Sequence, residues 1–460
     1  MSHIKNNEVE KIYLFTRWMT WLFMVSSVLF LIYIYYRSEI TYLGQRNEIY
    51  LKYYLISLTG ILFWGVVLRL RNEIRANIVT FITSMLVGLY LIEGGLILSG
   101  HDQPSVLPSA VKAAAAKQGI EYDDRSKFKV IESLIAEGVD AVPAVRPIDV
   151  MTMDKDLFPL GGVSSKTTVA NNENGYFMIY PSDRYGFNNP DSEWDAKSVD
   201  WFLTGDSYTE GLAVHPGQDI AGQIRLITKQ PTISVGRSGN GPLMEFALLR
   251  EYAESVKPKR VFWVYFEGND LRSDLKRDKN NLILMKYMKA GFSQNLISRQ
   301  KEIDISLLKH IISVQAQAQA ESKTEWIKLQ AIRSLINFDS VDNIGEVEVD
   351  DPLFIKILTK TKERVETWGG EFYFVYLPEY SRYKNKVVSH DGFRRKSEVI
   401  EVVKEIGIPV IDIHQMVFAK YDDPLSLFPF RLPRHYNAEG YSEVARAIVE
   451  GVKKYEDLIK

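Results

Sequence analysis

Three apolar stretches within the first hundred residues constrain the fold of this chain more than any other feature of its sequence. They run from Trp18 to Tyr36, from Tyr53 to Leu68, and from Ala76 to Ile92 with an extension over Gly94–Leu98. A helix of roughly 20 apolar residues crosses the core of a bilayer, and a shorter one spans when basic side chains at its ends reach the interface. We therefore predict that residues 1–98 form an anchor of three transmembrane helices in contact with membrane lipid.

The distribution of basic residues around these stretches predicts their orientation. More of them lie before the first stretch (Lys5, Lys11, Arg17) and between the second and third (Arg69, Arg71, Arg75) than in the first loop (Arg37, Arg46). Short loops rich in Lys and Arg stay in the cytoplasm. The predicted location is the cytoplasmic (inner) membrane, multi-pass, with everything after Leu98 outside the cytoplasm, which is the periplasm in a Gram-negative cell.

The rest of the chain divides into three predicted regions: a juxtamembrane helical linker (99–150), a strand and turn lead-in packed on the main domain (151–198), and the main domain (199–460). In the main domain, strand patterns (199–205, 231–236, 260–266, 372–377, 409–414) alternate with helix patterns (220–228, 242–256, 352–366, 394–405, 439–455). This alternation predicts an α/β fold with a parallel sheet and helices on both faces. An insertion at about 271–350 interrupts it, as a lid, a partner surface or a disordered excursion.

Composition and spacing exclude several classes of function. The chain has no cysteine, which removes thiol catalysis, thiolate metal sites and disulfides. Its net charge of -2 gives no global field that would recruit nucleic acid. No His/Asp cluster has metal-ligand spacing, and the run GRSGNG at 236–241 lacks the Lys-Ser/Thr pair of a phosphate-binding loop. We predict no cofactor, no metal and no nucleic-acid partner.

Four short motifs fall where predicted strands end, which is where open parallel sheets bind ligands. They contain Ser207, Gly239, Asn269 and His435. A serine hydroxyl at a strand-to-helix turn can attack an ester carbonyl if a histidine takes its proton. The resulting oxyanion needs fixed donors, and the backbone N–H groups of Ser207 and Gly239 with the Asn269 amide can supply three. The set therefore predicts an acyl-transfer site.

With these motifs the chain resembles the SGNH/GDSL hydrolase superfamily over roughly 199–460, the insertion being unmatched. The resemblance implies a flavodoxin-like parallel sheet, with the nucleophile at Ser207, the base at His435, and oxyanion donors at Ser207, Gly239 and Asn269. The family's third block, G-x-N-D, is met as Gly268-Asn269-Asp270 without the intervening residue. Tyr208, Arg434 and Tyr436 flank these motifs and are candidate substrate contacts.

The sequence departs from the family pattern at Leu432. The family has an aspartate three residues before the histidine, where it orients the imidazole. Its absence leaves a Ser–His dyad, a backbone carbonyl in the orienting role, or a carboxylate from elsewhere in the chain. Asp422 and Asp423 are nearby in sequence. An inactive descendant of the family is a further reading.

The resemblance and the predicted anchor together suggest an extracytoplasmic serine ester hydrolase or O-acyl (acetyl) transferase acting on a cell-envelope or exported polysaccharide. In this combination of anchor and domain the chain resembles bacterial membrane-linked SGNH proteins that modify polysaccharides. A transferase would need a partner, either a multi-span acyltransferase or a polysaccharide-export protein. The alternatives are a lipid or small-ester hydrolase at the membrane surface, and a catalytically inactive assembly protein with the SGNH fold.

Overall fold

Three long helices form the N-terminal part of the structure, a computed structural model that describes residues 2–41, 47–98, 106–151, 156–322, 349–384 and 395–459. Helix α1 (Ser2–Tyr35) continues as a π-helical turn (Tyr36–Thr41) and is followed by α2 (Asn47–Arg69) and α3 (Asn72–Leu98). The chain divides into two compact units, Met1–Pro104 with Ala320–Phe338, and Ser105–Gln319 with Asp339–Lys460.

The three helices have the length and composition of membrane spans. Candidate spans cover Val9–Ile40, Tyr50–Arg69 and Asn72–Leu96. Most of their large apolar side chains are exposed, as lipid-facing residues are, while a small cluster around Trp64 packs between the helices and includes a stacked contact with Phe23 at 4.7 Å between ring centroids. The three predicted apolar helices are thus confirmed, and their length and composition suggest membrane anchoring.

A five-stranded parallel sheet organises the second unit. Its strands are β4 (Trp201–Gly205), β5 (Thr232–Ser234), β6 (Arg260–Phe266), β7 (Glu371–Leu377) and β8 (Val410–Asp412), in the spatial order β5-β4-β6-β7-β8. Taken along the chain, this is the order 2-1-3-4-5 of the flavodoxin-like fold. The predicted fold class is confirmed, each strand lying within a residue or two of its predicted bounds.

Helices cover both faces of the sheet because its strands alternate apolar side chains between the two faces. Val261, Trp263 and Tyr265 of β6 belong to one core cluster, whereas Phe262 and Val264 belong to the other. The first cluster includes α8 (Pro242–Leu248), α13 (Pro352–Glu366) and α15 (Lys396–Glu405). The second includes α7 (Ile220–Thr228) and the C-terminal α17 (Ala438–Ile459).

Short helices connect the main elements. These are α6 (Ser207–Glu210), α9 (Glu254–Val256), α10 (Leu275–Asp278), α11 (Leu282–Lys286), α14 (Ser381–Lys384) and α16 (Ile413–Met416). The predicted insertion contains α10, α11 and α12 (Gln300–Ser322), whose Ile303, Leu307 and Ile311 join the first core cluster. The rest of the insertion, 323–348, lies outside the described residues.

A small second sheet is built from the residues predicted as linker and lead-in. Strand β1 (Ala141–Pro143) pairs in parallel with β2 (Thr167–Asn172), which pairs antiparallel with β3 (Phe177–Pro181). Helix α5 (Lys127–Ala136) packs on it through Val130 and Ile131, and α4 (Val106–Lys117) precedes it. The turn between β2 and β3, residues 173–176, contributes to the site described below.

Candidate active site

Ser207 is the first residue of α6, directly after β4. The Asp206 carboxylate caps this helix by accepting a hydrogen bond from the backbone N–H of Tyr208 at 2.9 Å. The strand can turn this sharply because residue 205 is glycine, where a Cβ would lie 2.1 Å from Thr209 Oγ1. Asp206 therefore acts as a structural cap, and the hydroxyl of Ser207 is held at the carboxyl edge of the sheet, beside the β4–β6 switch point where such folds bind ligands.

His435 reaches this hydroxyl from the loop before α17. Its Nε2 lies 2.8 Å from Ser207 Oγ, although the two residues are 228 positions apart. The loop is fixed by Asn437, whose amide donates to the Ser426 carbonyl at 2.7 Å and accepts from the Gly440 N–H at 2.9 Å. The structure thus brings together the two residues that the sequence proposed as nucleophile and base.

A third residue, Glu173, completes the arrangement. Its Oε2 lies 2.9 Å from His435 Nδ1 and also accepts the backbone N–H of His435 at 3.0 Å. Glu173 stands at the start of the turn between β2 and β3 and is 6% exposed. Asn174 holds this turn by donating to the Ala213 carbonyl at 2.5 Å. Ser207, His435 and Glu173 have the connectivity of a Ser–His–acid triad.

The charges within the triad allow His435 to act as a general base. Burial alone would lower the pKa of His435, but the charge and hydrogen bond of Glu173 raise it above the ordinary 6.5 of an imidazole. Burial alone would raise the pKa of Glu173, and the neighbouring His435 lowers it below the ordinary 4.5. Glu173 is therefore ionised near neutral pH and stabilises the imidazolium that forms when His435 takes a proton.

Glu173 takes the role of the aspartate that is missing from position 432. Leu432 packs against an apolar cluster of Val111, Ala115 and Phe430, and Asp423 pairs instead with Arg431. Of the alternatives left open by the sequence, a carboxylate from elsewhere is the one that the structure contains. Sequence reasoning missed it because Glu173 lies in the polar run NNENGY, which looks like an ordinary exposed turn.

The candidate oxyanion donors Ser207, Gly239 and Asn269 line one cavity of about 630 Å³ beside His435. Gly239 has a φ of +81°, and a Cβ there would lie 2.7 Å from Ile148 Cδ1, so a glycine is needed. Its neighbour Ser238 is fixed by donating its backbone N–H to Glu210 Oε2 at 2.7 Å. The loop that carries the second donor is therefore held in place before substrate arrives.

Behind this loop, Glu210 forms a fully buried ion pair with Arg237, with 3.1 Å between Oε1 and Nη1. Arg237 also donates to the Tyr180 hydroxyl at 3.0 Å and to the Val145 carbonyl at 2.5 Å. A buried charge pair is tolerated when further hydrogen bonds satisfy it in this way. The pair ties the oxyanion loop to the small sheet.

Two of the three candidate substrate contacts line the cavity, and the third does not. Tyr208 and Arg434 line it. Tyr436 is 0% exposed, packs among Tyr208, Phe418 and Phe428, and donates its hydroxyl to the Pro378 carbonyl at 2.5 Å. It is therefore a core residue and does not contact the cavity.

Replacement of Asn269 by Ala is expected to lower kcat for an ester substrate about 100- to 1,000-fold with little change in KM, because an oxyanion donor acts mainly in the transition state. Steady-state kinetics on a p-nitrophenyl ester measure both constants. Asn280→Ala is the matched control, since Asn280 is exposed and lies outside the cavity. An equal loss in both variants would assign Asn269 a structural role.

Buried carboxyl groups cluster near the nucleophile: Asp206, Glu245, Asp270, Asp274 and Asp278. Burial raises the pKa of Glu245 well above its ordinary 4.5, and the charge of Asp270 raises it further. Neither Glu245 side-chain oxygen has a hydrogen-bond partner among the described residues. Burial also raises the pKa of Asp206 to about 6. Burial and the neighbouring carboxylates thus favour the protonated form of Glu245 in the folded protein.

Glu245→Gln is expected to stabilise the protein increasingly as the pH rises. A folded-state pKa above 4.5 means that the folded protein binds the proton more tightly than the unfolded chain, so the wild type loses up to about 1.4 kcal/mol of unfolding free energy per pH unit between pH 4.5 and the folded-state pKa. Urea unfolding followed by tryptophan fluorescence should show a larger gain at pH 7 than at pH 5. The exposed Glu401→Gln serves as control; a pH-independent difference would contradict the expectation.

Comparison with known proteins gives structural likeness without sequence likeness. No protein-family model matches the chain, and no curated protein matches its sequence. Similar solved structures include a lipase/acylhydrolase from Enterococcus faecalis (14% identity, 56% of this chain, 96% of that one, TM-score 0.33). A second is a GDSL-like lipase from Bacteroides thetaiotaomicron (13% identity, 58% of this chain, 92% of that one, TM-score 0.30). A third is an acetyl xylan esterase (11% identity, 55% of this chain, 100% of that one, TM-score 0.32). The TM-scores are below 0.5, so the fold assignment depends on the strand order and the site geometry given above.

Proposed function

We propose that the chain is a membrane-anchored serine esterase or O-acyltransferase of the SGNH type that acts on O-acyl groups of an extracytoplasmic polysaccharide. The observation that carries this proposal is the hydrogen-bonded series Ser207–His435–Glu173, with 2.8 Å and 2.9 Å between the paired atoms. Glu173 also removes the main argument for an inactive protein, which was the absence of an orienting carboxylate at position 432.

The geometry supports a two-step acyl transfer. Ser207 Oγ attacks the ester carbonyl while His435 Nε2 takes its proton, and Glu173 stabilises the imidazolium. The oxyanion is bound by the donors of Ser207, Gly239 and Asn269. When the intermediate collapses, the alkoxide leaves with the proton from His435 and an acyl-serine remains. Water, or a sugar hydroxyl in a transferase, then attacks the acyl-serine through the same base and frees Ser207.

The cavity lining favours a carbohydrate over a lipid. Charged side chains at its wall include Arg146, Arg277, Glu379 and Arg434, while its apolar side chains are those of Ile148, Phe266 and Pro433. An acyl chain of a lipid needs a continuous apolar groove, whereas a sugar binds through its hydroxyls to polar groups and through its ring face to aromatic side chains such as Tyr380.

Two products distinguish hydrolysis from transfer. Hydrolysis releases free acetate, whereas transfer adds acetyl groups to an added glycan, and both quantities can be measured in one reaction.

Labelling with a fluorophosphonate tests the enzymatic part of the proposal. Full-length wild type is expected to be labelled, and Ser207→Ala is expected to lose the label because the probe reacts only with an activated serine. Ser298→Ala, on an exposed position remote in sequence, is the matched control and should keep the label. An unlabelled wild type, or labelling of Ser207→Ala, would count against a serine esterase.

The absence of cysteine from the chain allows a direct test of the proposed orientation. A single cysteine at Glu137 is expected to react with a membrane-impermeant maleimide in intact spheroplasts. One at Arg71, between α2 and α3, is expected to react only after permeabilisation. The reverse pattern would place the main domain in the cytoplasm and end the proposal of an extracytoplasmic substrate.

A further inference from the structure

A second cavity, of about 330 Å³, adjoins the candidate active site. Arg146 and Ser238 line both cavities, so the two share part of their wall. Ser238 precedes the oxyanion residue Gly239. A group bound in the second cavity would therefore lie next to the position at which an ester reacts.

The side chains that line this cavity include more cations than anions. Arg146 forms a two-point pair with Asp149, with distances of 3.1 Å from Nε and 2.7 Å from Nη2. Arg237 is paired with Glu210 at 3.1 Å. Each arginine on the wall is thus matched by one carboxylate.

Lys127 is the additional cation. Its Nζ donates to the amide oxygen of Asn171 at 3.2 Å, and no carboxylate of the described residues pairs with it within 4.0 Å. Burial lowers the pKa of Lys127, and the nearby charge of Arg146 lowers it further. Counting Lys127, Arg146 and Arg237 against Asp149 and Glu210 leaves one positive charge, in a partly buried concave site.

We propose that this cavity is a subsite for an anionic group, a carboxylate or a phosphate, on the same glycan whose ester lies at Ser207. An anion there would neutralise Lys127 and relieve its repulsion with Arg146, and charge-assisted hydrogen bonds to Lys are strong in a partly desolvated site. The inference rests on the proposed function and sharpens it, because it makes the substrate an acidic acylated polysaccharide rather than a neutral one.

Binding of deacylated ligands tests the subsite independently of catalysis. Full-length Ser207→Ala protein in detergent would be titrated calorimetrically with an oligogalacturonate, an oligomeric glycerol phosphate and a neutral galacto-oligosaccharide of equal length. We expect at least one anionic ligand to bind more than tenfold more tightly than the neutral one, with the difference shrinking at high salt. Tighter binding of the phosphate oligomer identifies phosphate as the recognised group, and tighter binding of the uronate identifies carboxylate.

Variants at position 127 test whether Lys127 carries the preference. Lys127→Met keeps the aliphatic stem and is expected to abolish the tenfold difference, whereas Lys127→Arg keeps the charge and should retain most of it. Lys129→Ala removes an exposed lysine of the same helix and is the matched control. Circular dichroism checks that each variant folds.

The outcomes separate the two proposals. Equal affinity for anionic and neutral ligands, or a preference that survives Lys127→Met, overturns the subsite whether or not the protein is an esterase. A wild type that neither hydrolyses p-nitrophenyl acetate nor reacts with a fluorophosphonate overturns the esterase. A Lys127-dependent anion preference in such a protein would support the subsite by itself.

Discussion

Glu173→Gln is expected to lower kcat about 10,000-fold on a p-nitrophenyl ester, the loss typical of a triad whose acid becomes an amide. The amide cannot stabilise the imidazolium and favours the wrong tautomer of His435, because an amide can donate a hydrogen bond to Nδ1 where the carboxylate only accepts one. This prediction separates the present structure from a simple Ser–His dyad, in which residue 173 would have no part.

The pH dependence of the same variant gives a second measurement. Only neutral His435 can take the serine proton, so wild-type kcat/KM falls as the pH drops through the pKa of His435, which Glu173 raises above 6.5. Without that charge the acidic limb of the profile should move to lower pH. Glu137→Gln, at an exposed position of the same unit, is the control. An unchanged limb, or a loss below tenfold, would remove Glu173 from the triad.

His435→Ala is expected to have the largest effect, about a million-fold in kcat, because the nucleophile and its base act as a unit. The variant should also lose fluorophosphonate labelling, since Ser207 would keep its proton. The residual rate can be measured with a discontinuous assay, in which the carboxylic acid product is quantified after long incubations.

His414→Ala provides the matched control for this variant. His414 also has a hydroxyl partner, with 2.8 Å between its Nδ1 and the Tyr383 hydroxyl, but it lies outside the cavity. Burial and the charges of Arg382 and Lys396 lower the pKa of His414 to about 4, so it is a poor base. Comparable losses in the two variants would indicate that the main domain, not the chemistry, had been disrupted.

The predicted elements were accurate where a local pattern reflects a local physical constraint. The run of β-branched and aromatic residues in 260–266 predicted β6, which spans Arg260–Phe266, and the helix pattern at 352–366 predicted α13, which spans Pro352–Glu366. Glycines 205 and 239 were informative because the backbone approaches other atoms so closely that a Cβ would clash. The same local reading failed for Tyr436, since nothing in the sequence around a tyrosine shows whether it faces a cavity or the core.

Glu173, the acid of the triad, could not be predicted from a local pattern. Glu173 and His435 are 262 positions apart, and Glu173 belongs to a small sheet that precedes the main domain. The family position for this carboxylate is three residues before the histidine, where Leu432 instead packs against an apolar cluster. A carboxylate can orient an imidazole from any direction in space, so sequence spacing does not determine which one does.

The sequence by itself determined the three apolar helices, the parallel sheet, and the nucleophile, base and oxyanion candidates, because helix and strand periodicity and strand-end motifs are properties of neighbouring residues. Only the tertiary structure decided the third member of the triad, the burial of Tyr436 and the charge imbalance around Lys127. Each of these depends on which distant segments pack together, and hence on burial and distance, which no local pattern encodes.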